Sequence, residues 1–218
     1  NVATGRHVHG QSRLWQSIRG MDIDFHGFTS EQQINAPPHT SNPYAFKTHA
    51  FRWAFAQGHY ENVLWLDASV WAIKDVAPIF EHIIEHGYIM QQAGHMVGRW
   101  TNDRVLYHYG IDRDDAMKMP MYGNAGFLGL SIESNTAMDF LNAWHKSSMS
   151  GMFRGGWTNK NGSESLDARC DGHRHDMSCG SIIANQLNMD YQSGDEWLAY
   201  ASPDDAVNDS IILKAQGM

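Results

Sequence analysis

The sequence predicts an α/β protein with a mostly parallel central sheet and helices on both faces. Helical and extended patterns alternate along the first half of the chain, as in strand–helix–strand units. The run Val63–Leu66 is apolar without alternation, which is typical of a central strand buried on both sides. We expect residues 1–218 to form a single domain, because 218 residues is near the upper size for one core.

The elements before this strand are predicted from short patterns. Turn-forming residues in Thr29–Asn42 indicate a loop, and a helical pattern then ends at a glycine. In order, we expect a strand end at Asn1–Gly5, a helix at Ser12–Ile18, a strand at Asp22–Phe28 and a helix at Tyr44–Gln57.

The segment Val76–His86 has the spacing of an amphipathic helix that ends at Gly87. Its expected buried side consists of Ile79, Phe80, Ile83 and Ile84. Further on, we expect strands at Tyr88–Gln92 and Tyr122–Leu130, a surface helix at Asp112–Lys118, a helix from Ser134 or Asn135 to Lys146, a long loop at Gly151–Ser165, a helix at Ser178–Met189, and weak strands at Trp197–Tyr200 and Ile211–Leu213.

Composition narrows the possible classes of function. The net charge of −8 argues against a nucleic-acid-binding face as the main activity. No apolar run approaches the length of a membrane span. Two cysteines are too few for a disulfide scaffold, which favours a reducing, cytoplasmic compartment.

A carboxylate follows the buried strand directly. Asp67 comes after Leu66, and Ala68 and Ser69 follow it. Ligands of open α/β sheets bind at the carboxyl ends of the strands, and a carboxylate there needs a cationic or hydrogen-bonding partner. Asp67 is therefore a candidate ligand-binding residue. The alternative is that it only caps the next segment.

Three further groups of polar residues stand at the ends of predicted elements. Lys47 could reach a diphosphate from its helix or could extend into solvent. Asn124 and Gly126 belong to a strand interrupted by glycines, where a ligand can approach closely, although Asn124 could also be a turn residue. The third group, His173–Asp176, precedes a helix, so Asp176 could simply be its N-cap.

These motifs resemble those of the nucleotide-sugar-dependent glycosyltransferases of the GT-A fold. The segment LWLDAS resembles their D-x-D strand, and the residues around Asn124 and Gly126 are similar to an N-[SA]-G strand. Asp176, with Asn185 or Gln186 after it, resembles the D-Q-x-x-x-N helix of glycogenin-like members. The R-H-D sequence also resembles a plant and bacterial R-H-D-Q group. The resemblance covers roughly residues 44–189 and implies a GT-A-like fold.

The resemblance implies transfer of a sugar from a nucleoside-diphosphate donor, with UDP favoured, to a hydroxyl acceptor. The leaving diphosphate needs positive charge, usually from Mn²⁺ or Mg²⁺. Asp67 and Ser69 would hold that metal, with His173 or His175 as a further ligand, although the family usually has Asp where Ser69 stands. The acceptor would be a saccharide, a small molecule or a protein, and a modified nucleic-acid base stays open. Basic side chains could instead neutralise the diphosphate, namely Lys47, Arg52 and Arg174.

The same resemblance assigns roles to the remaining candidates. Asn124 and the backbone of Gly126 would bind sugar hydroxyls, and Asp176 would lie near the anomeric carbon. It would act as the general base in an inverting enzyme, or would stabilise the oxocarbenium-like centre in a retaining one.

Two other classes of function remain open from the sequence. One is a metal-dependent hydrolase that uses the segment Cys170–Cys179, whose cysteines and histidines could hold zinc; alternatively, Cys170 and Cys179 could form a disulfide. The other is a non-catalytic carbohydrate-binding protein, which Ser69 in the D-x-D-like motif would suit.

Overall fold

The computed structural model describes His26 and residues 30–192, 196–202 and 204–215. The predicted elements at Asn1–Gly5, Ser12–Ile18 and Asp22–Phe28 lie outside these ranges, apart from His26. Within the ranges the helices and strands are α1 (Ala45–Ala56), β1 (Asn62–Leu66), β2 (Val70–Ala72), α2 (Ala77–His86), β3 (Tyr88–Met96), α3 (Asp103–Tyr109), α4 (Arg113–Ala116), β4 (Pro120–Ser131), α5 (Asn135–Met149), α6 (His175–Gln186), β5 (Leu198–Tyr200) and β6 (Leu213–Ala215).

The central strand β4 pairs antiparallel with β1 on one side and with β3 on the other. A smaller sheet has the order β2-β6-β5, in which only the pair of β5 and β6 is parallel. The prediction of a mostly parallel, GT-A-like central sheet is therefore wrong. The prediction of a central strand buried on both faces is also wrong: the apolar run Val63–Leu66 forms β1, but every residue of β1 is only half-buried, and β4 is the middle strand of the described sheet. An apolar run predicts a strand but does not determine the direction of its partner.

Helices do cover both faces of the main sheet. Leu128 and Leu130 of β4 belong to the larger core, which also contains buried residues of α1, α5 and α6. Phe127 points to the opposite side and packs with Ile79 and Ile83 of α2. Successive side chains of β4 point to opposite faces of the sheet, so this strand contributes to both cores. The expected buried side of α2 was wrong at Ile84, which is 67% exposed.

Local signals place several helix ends correctly. The Ser134 side chain accepts a hydrogen bond from the backbone N–H of Ala137 at the start of α5. Gly87 ends α2 with a left-handed φ of 86°, a conformation that glycine adopts at low cost. The predicted surface helix at Asp112–Lys118 is present as the shorter α4, which Asp112 caps. These ends depend on short-range contacts, which explains why they can be read from sequence.

Two helices differ from the expectation. Helix α3 was not predicted from the sequence, although Asn102 caps it by accepting from the N–H of Val105 at 3.0 Å. Helix α6 begins at His175 rather than at Ser178, because the Ser178 hydroxyl points back and accepts from the N–H of Arg174 at 2.9 Å. The earlier start brings Asp176 into the first turn of the helix. Across the described ranges, no helix has both the length and the apolar character needed to cross a bilayer.

Candidate functional site

A buried cluster of three charged side chains lies where α1, β1 and α6 meet. Lys47 Nζ is 3.1 Å from Asp67 Oδ1 and 3.3 Å from Asp176 Oδ2. Lys47 is 2% exposed and Asp176 is 3% exposed, whereas the side chain of Asp67 remains 36% exposed. The lysine therefore bridges two carboxylates, of which Asp67 is the more exposed.

Asp67 is fixed from both sides at the end of β1. Its backbone N–H donates to the carbonyl of Gly126 at 2.9 Å, and its carbonyl accepts from the N–H of Val70 in a tight turn. The indole Nε1 of Trp65 donates to Asp67 Oδ1 at 2.7 Å. A Cβ at Gly126 would lie 3.1 Å from Asp67 Oδ2, so the glycine makes room for the carboxylate. The antiparallel partner strand thus shapes the site.

Burial and charge act against each other in this cluster. Burial raises the pKa of Asp176, and the ammonium of Lys47 opposes that rise. Burial would lower the pKa of Lys47, but the carboxylates of Asp176 and Asp67 outweigh it and the pKa is raised. With all three groups ionised the cluster carries one positive and two negative charges, a net charge of −1.

Aromatic rings cover one side of the cluster. The ring of Tyr44 lies 5.2 Å from Lys47 Nζ, and its centroid is 5.5 Å from that of His175. Trp157 contacts the rings of both His175 and Tyr44, at 5.2 and 6.3 Å. Trp157 is 42% exposed, so this aromatic wall reaches the surface. A wall of this kind next to a carboxylate suits a ligand with both apolar and hydroxyl groups.

Arg174, which directly precedes α6, lies against two indole rings. Its guanidinium carbon is 3.9 Å from the ring centroid of Trp100 and 4.4 Å from that of Trp157. Partial burial lowers the pKa of Arg174, although the group remains a cation. Trp157 thus joins this arginine to the wall beside Lys47.

The four residues predicted to hold a metal do not converge. His173 Nε2 pairs with the carbonyl of Met152 at 3.1 Å, and His175 Nδ1 pairs with that of Phe153 at 2.8 Å. Burial lowers the pKa of His173 to about 3, so its ring is neutral. Ser69 is exposed in the turn after Asp67. The part of the chain that the structure describes contains no group of three or more His, Cys, Asp or Glu side chains placed to hold a metal ion, so the arrangement does not fit the implied metal.

Other predicted residues lie apart from the cluster or outside the description. Arg52 is exposed on α1 and donates to Asn142 Oδ1 of α5 at 3.2 Å. The backbone of Asn124 belongs to β4, but the position of its side chain is not described. Of the predicted phosphate ligands, Lys47 is thus part of the cluster, and Arg174 flanks the aromatic wall.

The segment Cys170–Cys179 forms neither of its alternatives. Both cysteines are buried and free, and burial raises the pKa of each thiol. The Cys170 Sγ donates to the carbonyls of Thr101 and Gly172, whereas the Cys179 Sγ donates to that of Met152. The two thiols thus donate to different backbone carbonyls and are not bonded to each other.

Sequence reasoning missed the roles of four aromatic residues. Trp65 orients Asp67, Tyr44 covers Lys47, and two tryptophans contact Arg174. One signal was available, since Trp157 is a large aromatic residue within a loop of Gly, Asn and Ser. The contacts of Trp100 and Tyr44 depend on tertiary structure and have no sequence signature.

Comparisons of the chain with protein-family models, with curated proteins and with solved structures find no significant match.

Proposed function

We propose that the protein is a glycosyltransferase that moves a sugar from a nucleoside-diphosphate donor to a hydroxyl acceptor. The observation that supports this most is the meeting of Lys47, Asp67 and Asp176 beside Gly126. Asp67, Gly126 and Asp176 come from the stretches that resemble transferase motifs, and more than a hundred positions separate Asp67 from Asp176. UDP is the nucleotide that the resemblance favours. A saccharide, small-molecule or protein acceptor suits the acidic surface.

In the proposed reaction the bond from the anomeric carbon to the donor phosphate oxygen breaks, and a bond to the acceptor oxygen forms. The nucleoside diphosphate leaves with the electron pair. In an inverting reaction Asp176 takes the acceptor proton; in a retaining one that proton passes to the leaving phosphate, and Asp176 stabilises the cationic sugar. Burial raises the pKa of Asp176 above its ordinary value, which makes its carboxylate a stronger base than an exposed one.

The other residues position these groups. Lys47 keeps the two carboxylates close together, and Asp67, the more exposed of the two, is open to donor hydroxyls. The rings of Tyr44 and Trp157 offer surfaces for the apolar face of a sugar. We assign no step to Mn²⁺ or Mg²⁺, because the residues predicted to hold the ion do not meet at one point.

The first experiment measures the melting temperature with UDP, GDP, CDP and ADP, each with and without Mn²⁺. A ligand that binds only the folded state raises the melting temperature according to its occupancy. We expect one nucleotide to do so, and the corresponding nucleotide sugars should then release nucleoside diphosphate. Absence of both effects for every donor would contradict the proposal.

Two variants then test whether turnover requires Asp67 and Asp176. Asp67→Asn and Asp176→Asn remove one charge each with little change of volume, and both should lower turnover at least a hundredfold while the protein stays folded. Asp139→Asn, on the exposed side of α5, is the matched control and should keep full activity. Full turnover in either cluster variant would remove the role proposed for that residue.

A second candidate is a carbohydrate-binding protein without catalytic activity. The exposed Ser69 in place of a second motif carboxylate and the aromatic wall favour it. It predicts that a sugar raises the melting temperature while no donor releases nucleotide. We do not propose the hydrolase alternative, because the cysteines and histidines of residues 170–179 form no group of three metal-binding side chains among the described residues.

A further inference from the structure

We propose that Arg174 binds the phosphate groups of the donor, with Trp100 and Trp157 holding its guanidinium in place. This inference rests on the proposed function and identifies the part of the donor that this side of the site recognises. It follows from the aromatic contacts of the arginine, from the absence of a carboxylate within 4.0 Å of it among the described residues, from its position and from the charge of the cluster.

The contacts with the two indole rings leave the N–H groups of Arg174 available to bind a ligand. The guanidinium carbon lies 3.9 and 4.4 Å from the two indole centroids, and these contacts use the π face of the group. Its five N–H donors lie in the plane, where they match the paired oxygens of a phosphate. Stacking also restricts the side chain before the ligand arrives, so less conformational entropy is lost on binding.

The charge of Arg174 is not consumed by an ion pair. Within residues 30–192 and the shorter described ranges, no carboxylate lies within 4.0 Å of its guanidinium nitrogens. Asp171 is close enough to influence the pKa of Arg174, but its own carboxylate pairs with Arg99 Nε. A partly buried arginine without a carboxylate in contact is a suitable receptor for an anion.

The position of Arg174 links it to the carboxylate cluster. It stands two residues before Asp176, and its stacking partner Trp157 also contacts His175 and Tyr44. A phosphate held by Arg174 would therefore leave the attached sugar near the aromatic wall and the buried carboxylates. This is the order of groups in a nucleotide sugar, in which the sugar is bonded directly to the diphosphate.

The charge balance requires such a residue. The cluster of Lys47, Asp67 and Asp176 carries a net charge of −1 and would repel a diphosphate by itself. Adding Arg174 brings the sum of these four charges to zero. Arg174 thus supplies the positive charge on the phosphate side, while Lys47 is engaged by the two carboxylates.

The test measures the dissociation constants of UDP and of uridine for the wild type, Arg174→Gln and Arg174→Lys. If the melting experiment selects another nucleoside diphosphate, that nucleotide and its nucleoside replace UDP and uridine. We expect Arg174→Gln to weaken UDP binding at least about tenfold and to leave uridine binding within about twofold, since only UDP offers phosphates. Arg174→Lys keeps the charge but loses the planar donors, so it should recover only part of the affinity. Arg169→Gln, an exposed arginine paired with Asp114 and Asp167, is the control.

Inorganic pyrophosphate separates failure of this inference from failure of the proposed function. Pyrophosphate should raise the melting temperature of the wild type but not that of Arg174→Gln. If donor turnover is present and Arg174→Gln keeps the ratio of UDP to uridine affinity, the role of Arg174 is wrong and the transferase stands. If no donor turns over yet pyrophosphate binds through Arg174, the phosphate site stands and the transferase is wrong. Equal loss of UDP and uridine affinity would indicate a structural role and overturn the inference.

Discussion

Replacing Lys47 by Met tests whether the buried cluster holds the fold together at this point. Methionine keeps an unbranched apolar stem, one atom shorter than the lysine side chain, and removes the charge. The pair with Asp67 is partly solvated, so its loss should cost about 1 kcal/mol or less. The pair with Asp176 is buried, and leaving that carboxylate without its cation should cost about 3–5 kcal/mol. We expect the free energy of unfolding at pH 7 to fall by about that larger amount.

This cost should depend on pH in a defined direction. Burial already raises the pKa of Asp176, and removing Lys47 takes away the charge that opposes the rise. The folded-state pKa then lies further above the unfolded value of about 3.9. An ionised Asp176 destabilises the variant by the full amount above its folded pKa, and this penalty decreases as the pH falls below that value and is gone below the unfolded pKa. The deficit relative to the wild type should thus be smaller at pH 4.5 than at pH 7.

Urea unfolding followed by tryptophan fluorescence measures both values. Lys146→Met, at an exposed position on α5, is the matched control and should change stability by about 0.5 kcal/mol or less. Combining Lys47→Met with Asp176→Asn should recover stability at pH 7, because the uncompensated charge is gone. A cost below about 1 kcal/mol for Lys47→Met, or a deficit equal at both pH values, would refute the electrostatic reasoning.

Three further predictions test the surroundings of the cluster. Gly126→Ala places a Cβ 3.1 Å from Asp67 Oδ2 and should lower turnover about tenfold or more with a small loss of stability; unchanged turnover in a kinetic assay would show that Asp67 can move freely. Trp65→Phe removes the hydrogen bond to that carboxylate and should lower the free energy of unfolding by about 1.5–3 kcal/mol in urea titrations, with a cost near zero counting against the contact. Burial lowers the pKa of His173 to about 3, so the wild type should lose stability between pH 6.5 and pH 3, by at most about 1.4 kcal/mol per pH unit. His173→Gln should lose less over the same range, whereas His108→Gln, at an exposed position, should follow the wild type. If the free energy of unfolding changed equally with pH in all three proteins, a buried neutral His173 would be contradicted.

Part of the fold can be read from sequence because its signals are local. The run Val63–Leu66, the amphipathic pattern that ends at Gly87 and the cap at Ser134 each depend on neighbours a few positions away, and the corresponding elements are present. The direction of strand pairing depends on β4, which lies more than fifty residues further along the chain. An apolar strand carries no information about that direction, so the parallel sheet was predicted wrongly.

The site shows the same division. Asp67 could be found because it follows an apolar strand pattern, and Lys47 and Asp176 because they stand on helices near predicted element ends. The histidines beside Asp176 were expected to bind a metal with Asp67 and Ser69, but among the described residues no three His, Cys, Asp or Glu side chains are placed to hold an ion. Sequence shows which groups are available for ligation, whereas only the fold shows which of them meet at one point.

The three charged residues also determine when the site can exist. The contact of Lys47 with Asp176 closes a loop of 129 positions, the difference between 176 and 47. Contacts of such long separation form late in folding, since the entropy of closing the loop must be overcome first. On the ribosome, Lys47 and Asp67 emerge long before Asp176, which is residue 176 of the 218 in this chain. A nascent chain that stops before residue 176 contains Lys47 and Asp67 but lacks Asp176. The second carboxylate joins the site only when α6 packs against the rest of the fold.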